Sequence, residues 1–414
     1  MSAPAHPQAA TSEARATAAS STGAAITAAL LAVLGLLSAI APFATDLYLP
    51  AFPQMAAELG TGATAVQLTL TAFLVGVTAG QLVFGPLSDR FGRVPPLLAG
   101  CLLMVVAGIA TVLAPSPAVL IGARLLQGLG GAAGMVIGRA IISDLATGKA
   151  AARAFSLMMI VGGVAPVIAP VVGGFLVEPI GWRGILAVVL ALSVVMLVAV
   201  IAVVRESYPA DRRLADRAER LATGSPLRAL RSRAFLGYTA VFTFAFGVMM
   251  AYISASPFLY QDMMGLDTTG YGLAFGANAL ALMVVSAVSA KLAATHDVRR
   301  LLVTGIAVLL ASTLVFGTLV ALGAPAGWLA LPLFVGVGSL GLVFGNATAL
   351  ALGAVPAGAG AASAVLGAAQ FGLAALVSPL VSVGGTATAA PLALVMTACA
   401  VVATGALMVT VRRG

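Results

Sequence analysis

Long, nearly unbroken apolar runs separated by short polar islands fill most of the chain. About twelve can be read, at roughly 24–50, 66–86, 97–114, 118–142, 153–177, 184–204, 234–258, 270–290, 300–322, 328–352, 359–382 and 388–411. Runs near 20 residues match the ~30 Å hydrocarbon core at 1.5 Å rise per residue. Barrel strands would alternate apolar and polar positions over about ten residues, and the stretch from Ile185 to Val204 shows no such alternation. Only helices and closed barrels satisfy every backbone N–H and C=O inside lipid. The pattern therefore predicts an all-α, polytopic membrane protein of about twelve transmembrane helices.

The longest polar segment between runs, Arg205 to Arg233, divides six spans from six. The expected organisation is a tail over 1–22, a six-helix bundle over 23–204, a linker over 205–233 and a second bundle over 234–414. Leu214, Ala218 and Leu221 predict one amphipathic surface helix inside the linker. A weak internal repeat supports the division. QLVFGPLSDRFGRVPPLLAG (81–100) and SAVSAKLAATHDVRRLLVTG (286–305) each place basic residues in a short loop before a Leu-Leu run that reaches Gly. Two such halves, with a site at the midplane between them, form a transporter architecture.

Composition excludes the competing classes. Only 8% of the 414 residues are charged and 61% are hydrophobic, against roughly 25% charged in a soluble domain. Disorder and coiled coil fail on the same ground. Cys101 and Cys399 fall in apolar runs, and His6 and His296 lie in a polar tail and a polar loop, so no metal or catalytic His constellation assembles. No G-x-x-x-x-G-K-[ST] loop is present to support ATP-driven transport.

Basic residues set the orientation. With the N-terminus inside, the cytoplasmic segments collect Arg15, Arg90, Arg93, Lys149, Arg153, the arginines from Arg205 to Arg233, Lys291, Arg299, Arg300, Arg412 and Arg413. Only Arg183 falls opposite, beside Glu58, Glu178, Asp262 and Asp267, while Arg124 and Arg139 lie within the fourth span. The expectation is a multi-pass protein of the plasma (inner) membrane with both termini cytoplasmic. The net charge of +8 is then a matter of topology and anionic lipid headgroups rather than of nucleic acid.

Four islands carry candidate chemistry. In GPLSDRFGRVPP, Gly85 and Pro86 are expected to end a helix, while Gly92 with Pro95–Pro96 makes a tight turn. Asp89 can cap a helix or pair with an arginine, in a cluster that forms when two bundles touch and breaks when they part. In the fourth span, Arg124 and Gln127 share a helix face, and Gly130, Gly134 and Gly138 form a ladder that admits another backbone. In the fifth, Ala165, Ala169 and Gly173 form a second ladder between the helix-bending Pro166 and Pro170. In the first, Asp46 is the only carboxylate placed within the hydrocarbon region, where low dielectric favours the neutral acid. The alternative is a helix ended early by Pro42 and Pro50, with Asp46 wet and ordinary.

These islands resemble motifs of the major facilitator superfamily. Gly85, Leu87, Asp89, Arg90, Gly92 and Arg93 match its loop signature G-x-L-x-D-R-x-G-R-R, with Val94 in place of the second basic residue. Arg124, Gln127 and Gly128 match R-x-x-Q-G, whose arginine is linked with proton transfer in that superfamily. Pro170, Gly173 and Gly174 match the antiporter motif G-x-x-x-G-P-x-x-G-G, with Ala165 and Ala169 where glycine is usual. Asp46, Tyr48, Pro50, Ala51 and Pro53, with AYISASPFLYQ (251–261), FGAN (275–278), GNATALAL (345–352) and AASAVLGAAQ (361–370), resemble its bicyclomycin/chloramphenicol resistance branch.

The resemblance implies a drug:proton antiporter, not an enzyme, working by alternating access with no cofactor beyond the proton gradient. Asp46 and Arg124 are the expected proton-coupling pair. Gly85, Asp89, Arg90, Gly92 and Arg93 are the expected gate, and Asp46, Tyr48, Gln127, Tyr252, Phe275, Asn278, Asn346 and Gln370 the expected substrate contacts. The expected partners are a small lipophilic drug, protons and membrane lipids, in a monomer that binds no nucleic acid. Export of an endogenous sugar or amino-acid derivative stays open, and a membrane-embedded enzyme is the more distant alternative.

Overall fold

The computed structural model describes residues 27–146, 148–214, 230–355, 359–381, 383 and 388–411. The predicted tail and most of the predicted linker helix, with Ala218 and Leu221, lie outside the described residues; 210–214, at its start, are helical. Among the described residues, twelve apolar helices are α1 (Ala28–Asp46), α2 (Ala63–Phe91), α3 (Val94–Val112), α4 (Pro117–Leu145), α5 and α6 (both within Gly148–Val203), α7 (Arg233–Pro257), α8 (Thr268–Leu292), α9 (Val298–Ala321), α10 (Ala330–Gly353), α11 (Ala359–Leu380) and α12 (Ala390–Val411). The 56 residues from Gly148 to Val203 would extend about 84 Å as one helix, far more than a bilayer. They turn at Gly181, whose φ of +64° is open to glycine. Glu58 pins this turn: it accepts from Trp182 Nε1 at 2.7 Å and lies 3.7 Å from Arg183.

Two expected helix ends move. Pro86 lies inside α2 rather than ending it, and the helix stops at Gly92, φ +94°. A membrane helix tolerates a proline where neighbours re-satisfy the freed carbonyl. Pro95 and Pro96 then sit in the first turn of α3, where a missing N–H leaves nothing unpaired. Conversely α1 stops at Asp46 rather than Pro50, with Pro42 inside it, and the chain continues through a 3₁₀ turn, Leu49–Ala51, and a short helix, Phe52–Glu58.

Helices in lipid associate through close packing rather than through a hydrophobic driving force, so small residues decide who touches whom. Gly76 and Gly80 of α2 meet the Leu125 and Leu129 backbone of α4, and Gly128 meets the Phe73 carbonyl of α2. The expected ladder behaves differently. Gly130 faces the Gly100 carbonyl of α3, Gly134 faces Leu37 of α1, and Gly138 has only ordinary contact with Leu34. Four residues turn an α-helix by about 400°, so the ladder sweeps from one neighbour to the next.

The repeat is visible in these contacts. Gly341 of α10 packs on Ser286 and Leu282 of α8 as Gly76 and Gly80 of α2 pack on α4, and Gly305 of α9 faces α10 as Gly100 of α3 faces α4. The six-helix halves meet along two seams, α2 with α11 and α5 with α8. The face carrying the α2–α3, α6–α7 and α8–α9 loops is called the basic face below.

Candidate functional site

At the basic face the α2–α3 turn folds into an ionic hub around Arg93. Its Nη1 lies 2.8 Å from Asp89 Oδ1, and its Nε lies 2.8 Å from Asp144 Oδ2 at the end of α4. Ser88 Oγ accepts from Nη1 at 2.9 Å, and the guanidinium lies 4.4 Å over the Tyr208 ring. Burial alone would lower the pKa of Arg93, but the hydrogen bonds and charges of Asp144 and Asp89 outweigh it and hold it above its ordinary value. Just after α6, Glu206 accepts from the backbone N–H groups of Arg93 (2.9 Å) and Val94 (3.1 Å). A carboxylate at a helix N-terminus satisfies orphan donors and opposes the dipole, here that of α3. Ser207 Oγ donates to Asp144 at 2.9 Å.

Gly92 is required at this turn. Beyond its positive φ, a Cβ there would meet Glu206 Oε2 and Arg213 Nη1 at 2.6 Å. Gly85 sits about two turns earlier on α2, with room around it. Arg90 is exposed, 5.1 Å over Phe91, and is not among the contacts of Arg93.

Inside the first half, Arg124 is fully buried. It donates to Gln127 Oε1 and to the Ala44 carbonyl, both at 2.7 Å. The guanidinium lies 4.5 Å from both the Tyr48 and Phe73 rings, and Tyr48 is tied by its hydroxyl to Thr69 at 3.1 Å. A cation at the bilayer centre costs about 3 kcal/mol on insertion scales. Two charge-assisted hydrogen bonds and two desolvated cation–π contacts, each about 1.5–2 kcal/mol, offset that without a carboxylate.

Asp46 is accordingly not its partner. Its side chain is 4% exposed, and among the described residues the ion pairs are Arg93–Asp89, Arg93–Asp144 and Arg183–Glu58. The helix does end at Asp46, yet the residue stays dry. The segment that follows packs against α5, where Gly173 faces the Leu47 carbonyl and Pro50. Gly174 faces the Thr268 carbonyl and the Pro170 carbonyl faces Gly272, both of α8. The antiporter-like residues thus hold α5 between α1 and the second half, and Asp46 lies within electrostatic reach of Tyr271 on α8.

The second half offers neutral groups. Tyr252 stacks on Phe275 with centroids 5.4 Å apart, and Tyr271 lies 5.9 Å from Phe275 and 6.2 Å from Tyr260. Asn278 Nδ2 donates to Tyr260 Oη (3.1 Å) and to the Ala274 carbonyl (2.8 Å), while Ser256 and Tyr271 share a hydrogen bond of 3.1 Å. Phe242, Phe246, Phe344 and Phe371 form another aromatic group across α7, α10 and α11.

The predicted contacts therefore separate into groups. Tyr252, Phe275 and Asn278 come together; Tyr48 and Gln127 serve Arg124; and Gln370 is half-buried on α11 beside Phe371. Asn346 is tied to Ser289 at 3.0 Å, eleven residues along α8 from Asn278, hence about 16 Å away at 1.5 Å per residue. Asp144, Glu206 and Tyr208 of the hub, and Tyr260 and Tyr271 of the aromatic group, escaped sequence reading. Asp144 carried a signal, an acid ending a span beside the basic loops.

The family model of the major facilitator superfamily matches residues 34–379. The chain is 34% identical to an uncharacterized MFS-type transporter, YdgK, of Bacillus subtilis, over 90% of this chain and 93% of that protein. It is 29% identical to a bicyclomycin resistance protein homolog of Haemophilus influenzae (89% and 92% covered), and 34% identical to a chloramphenicol resistance protein of Pseudomonas aeruginosa over 62% of this chain and 60% of that one. Among solved structures, a partially occluded, inward-open form of the xylose transporter XylE of E. coli superposes with a TM-score of 0.71 at 14% identity, covering 93% of this chain and 97% of that one.

Proposed function

The chain belongs to the major facilitator superfamily, and we propose that it stands in the bicyclomycin/chloramphenicol resistance branch and exports small neutral lipophiles in exchange for protons. It is a transporter rather than an enzyme. The observation that carries the coupling mechanism is Asp46: a carboxyl group buried between the halves, without an ion pair among the described residues. A carrier coupled to protons needs one group whose charge changes within the barrier, and a ligand shifts its equilibrium only through differential affinity for the two states. Charged Asp46 disfavours closure over it in a dry seam, whereas the neutral acid permits it. Arg124 keeps its charge in both, so it fixes α1, α2 and α4 around the switch rather than acting as the counter-ion.

In this reading drug enters from the cytoplasm or inner leaflet and contacts the neutral aromatic and amide groups of the second half. Tyr252, Phe275 and Asn278 are the principal contacts, with Phe344, Phe371 and Gln370 as a second group in the same half. An apolar wall with few polar groups suits varied uncharged compounds, and the named resistance relatives support the same class. The basic face is cytoplasmic, as are both termini, and the Arg93 hub is the cytoplasmic gate. The working unit is a monomer in contact with membrane lipids.

The test is chloramphenicol transport in liposomes under an imposed pH gradient, wild type beside Asp46→Asn. Gradient-driven transport by the wild type and none by the folded variant is expected. Equal transport by both would overturn the coupling site, and no transport by a folded wild type would overturn the substrate class in favour of a metabolite.

A further inference from the structure

Opposite the basic face, two neutral amide hydrogen bonds join the halves. Gln67 of α2, 1% exposed, donates from Nε2 to the Ser254 carbonyl of α7 at 2.8 Å. Gln261, just past α7, donates from Nε2 to the Pro50 carbonyl at 3.0 Å. Each half therefore gives one amide and one backbone oxygen to the other. The Phe52 and Phe258 rings, one from each half, lie 6.1 Å apart.

The acceptors are available for a local reason. Pro257 has no N–H for the Ile253 carbonyl, which takes the Ser256 hydroxyl at 3.0 Å instead. The next N–H, of Phe258, goes to the Ala255 carbonyl, so the α-helical bond to Ser254 is unmade and its oxygen is left for a partner from outside. On the other side Pro50 lies in the 3₁₀ turn and Pro53 follows; a proline at that position cannot make the tight backbone bond back to Pro50. Gln67 Oε1, meanwhile, is buried with no partner. A buried amide with half its capacity unused gains about 0.5–1.5 kcal/mol from the bond it makes, little enough to be broken in each cycle.

We propose that Gln67 and Gln261 form a two-way amide latch that closes the face opposite the basic loops, and that both bonds break when the site opens there. The inference rests on the alternating-access reading above, though not on the identity of the drug or the role of Asp46. The latch sets how readily the protein opens to the outside, and hence the rate of release.

Spin labels at Ala57→Cys and Leu266→Cys, both exposed and in opposite halves, report the seam once Cys101 and Cys399 are replaced by alanine. A pair at Ala57→Cys and Ile180→Cys stays within the first half. Distances would be measured in nanodiscs by pulsed electron resonance, with neither drug nor gradient. Methionine matches glutamine in length and has no donor. Gln67→Met and Gln261→Met should each raise the open-to-closed ratio of the first pair by roughly two- to tenfold, the range expected for one neutral hydrogen bond, and together by about the product. The second pair should not move. Unchanged distances in the double variant would overturn the latch, and so would widening shared by both pairs, because the amides would then be holding the first half together. Failure of Asp46→Asn to lose transport would leave either result intact.

Discussion

The two copies of the six-helix repeat share their packing and differ in their chemistry. Gly100 and Gly305 do the same job in α3 and α9, and the α2–α4 and α8–α10 crossings are both made by glycine against backbone. Yet among the described residues every buried charge, Asp46, Arg93 and Arg124, lies in the first half, while the buried polar groups of the second are hydroxyls and amides. The loops compare in the same way. After α2, Arg93 binds two carboxylates; after α8, Asp297 caps α9 through the Arg299 N–H at 2.7 Å, and Arg299 reaches the Thr410 carbonyl at 3.4 Å. Backbone approach is thus enough to build a half, and on the proposed mechanism charge is added where one half senses protons and locks.

The comparison breaks first if coupling survives neutralisation of the first half. Asp46→Asn should reduce gradient-driven transport by at least about 100-fold, the scale for losing an essential proton carrier, while binding of drug at equilibrium persists. Next in size is the contrast between the loops. Arg93→Ala leaves Asp144 without its cation and should cost about 3 kcal/mol, read as a lower unfolding midpoint in detergent. Arg299→Ala loses one long hydrogen bond and should cost about 0.5 kcal/mol. Equal losses would mean that the second loop is also a lock.

Smaller effects sharpen the division. Asn278→Ala should weaken drug binding by about tenfold, near the upper end for one neutral hydrogen bond, and leave protons released per drug bound unchanged. Calorimetry in two buffers of different ionisation enthalpy measures both. The smallest belongs to the linker. Glu206→Gln removes a charge from the N-terminus of α3, worth about 0.3–1 kcal/mol, and thermal unfolding at low and high salt should show the difference shrinking as salt screens it.

What was legible in the sequence follows from the same contrast. In a chain so poor in charge, Asp46, Arg124 and the SDRFGR island stand out as candidates. Helix ends were harder, because Pro86 is accommodated inside α2 while Asp46, with no breaker of its own, ends α1. Sequence places Asp46 and Arg124 at one depth but does not show that Arg124 donates instead to the Ala44 carbonyl and Gln127. Gln67 and Gln261 were invisible for a further reason: their acceptors are backbone oxygens, which every residue has. Only the helix end at Pro257, where the Phe258 N–H turns to the Ala255 carbonyl and leaves Ser254 without its helical donor, singles one out, and that depends on local geometry.

The cation held between Tyr48 and Phe73 has an electrical consequence. On the proposed coupling, an arginine stays charged through the cycle, so protonating Asp46 would change the core of that half from neutral to singly positive. Exchange of a neutral compound for a proton then moves net charge across the membrane, and a potential of 100 mV adds about 2.3 kcal/mol per proton to the driving force. The carrier should run on voltage alone, with no difference in pH across the bilayer.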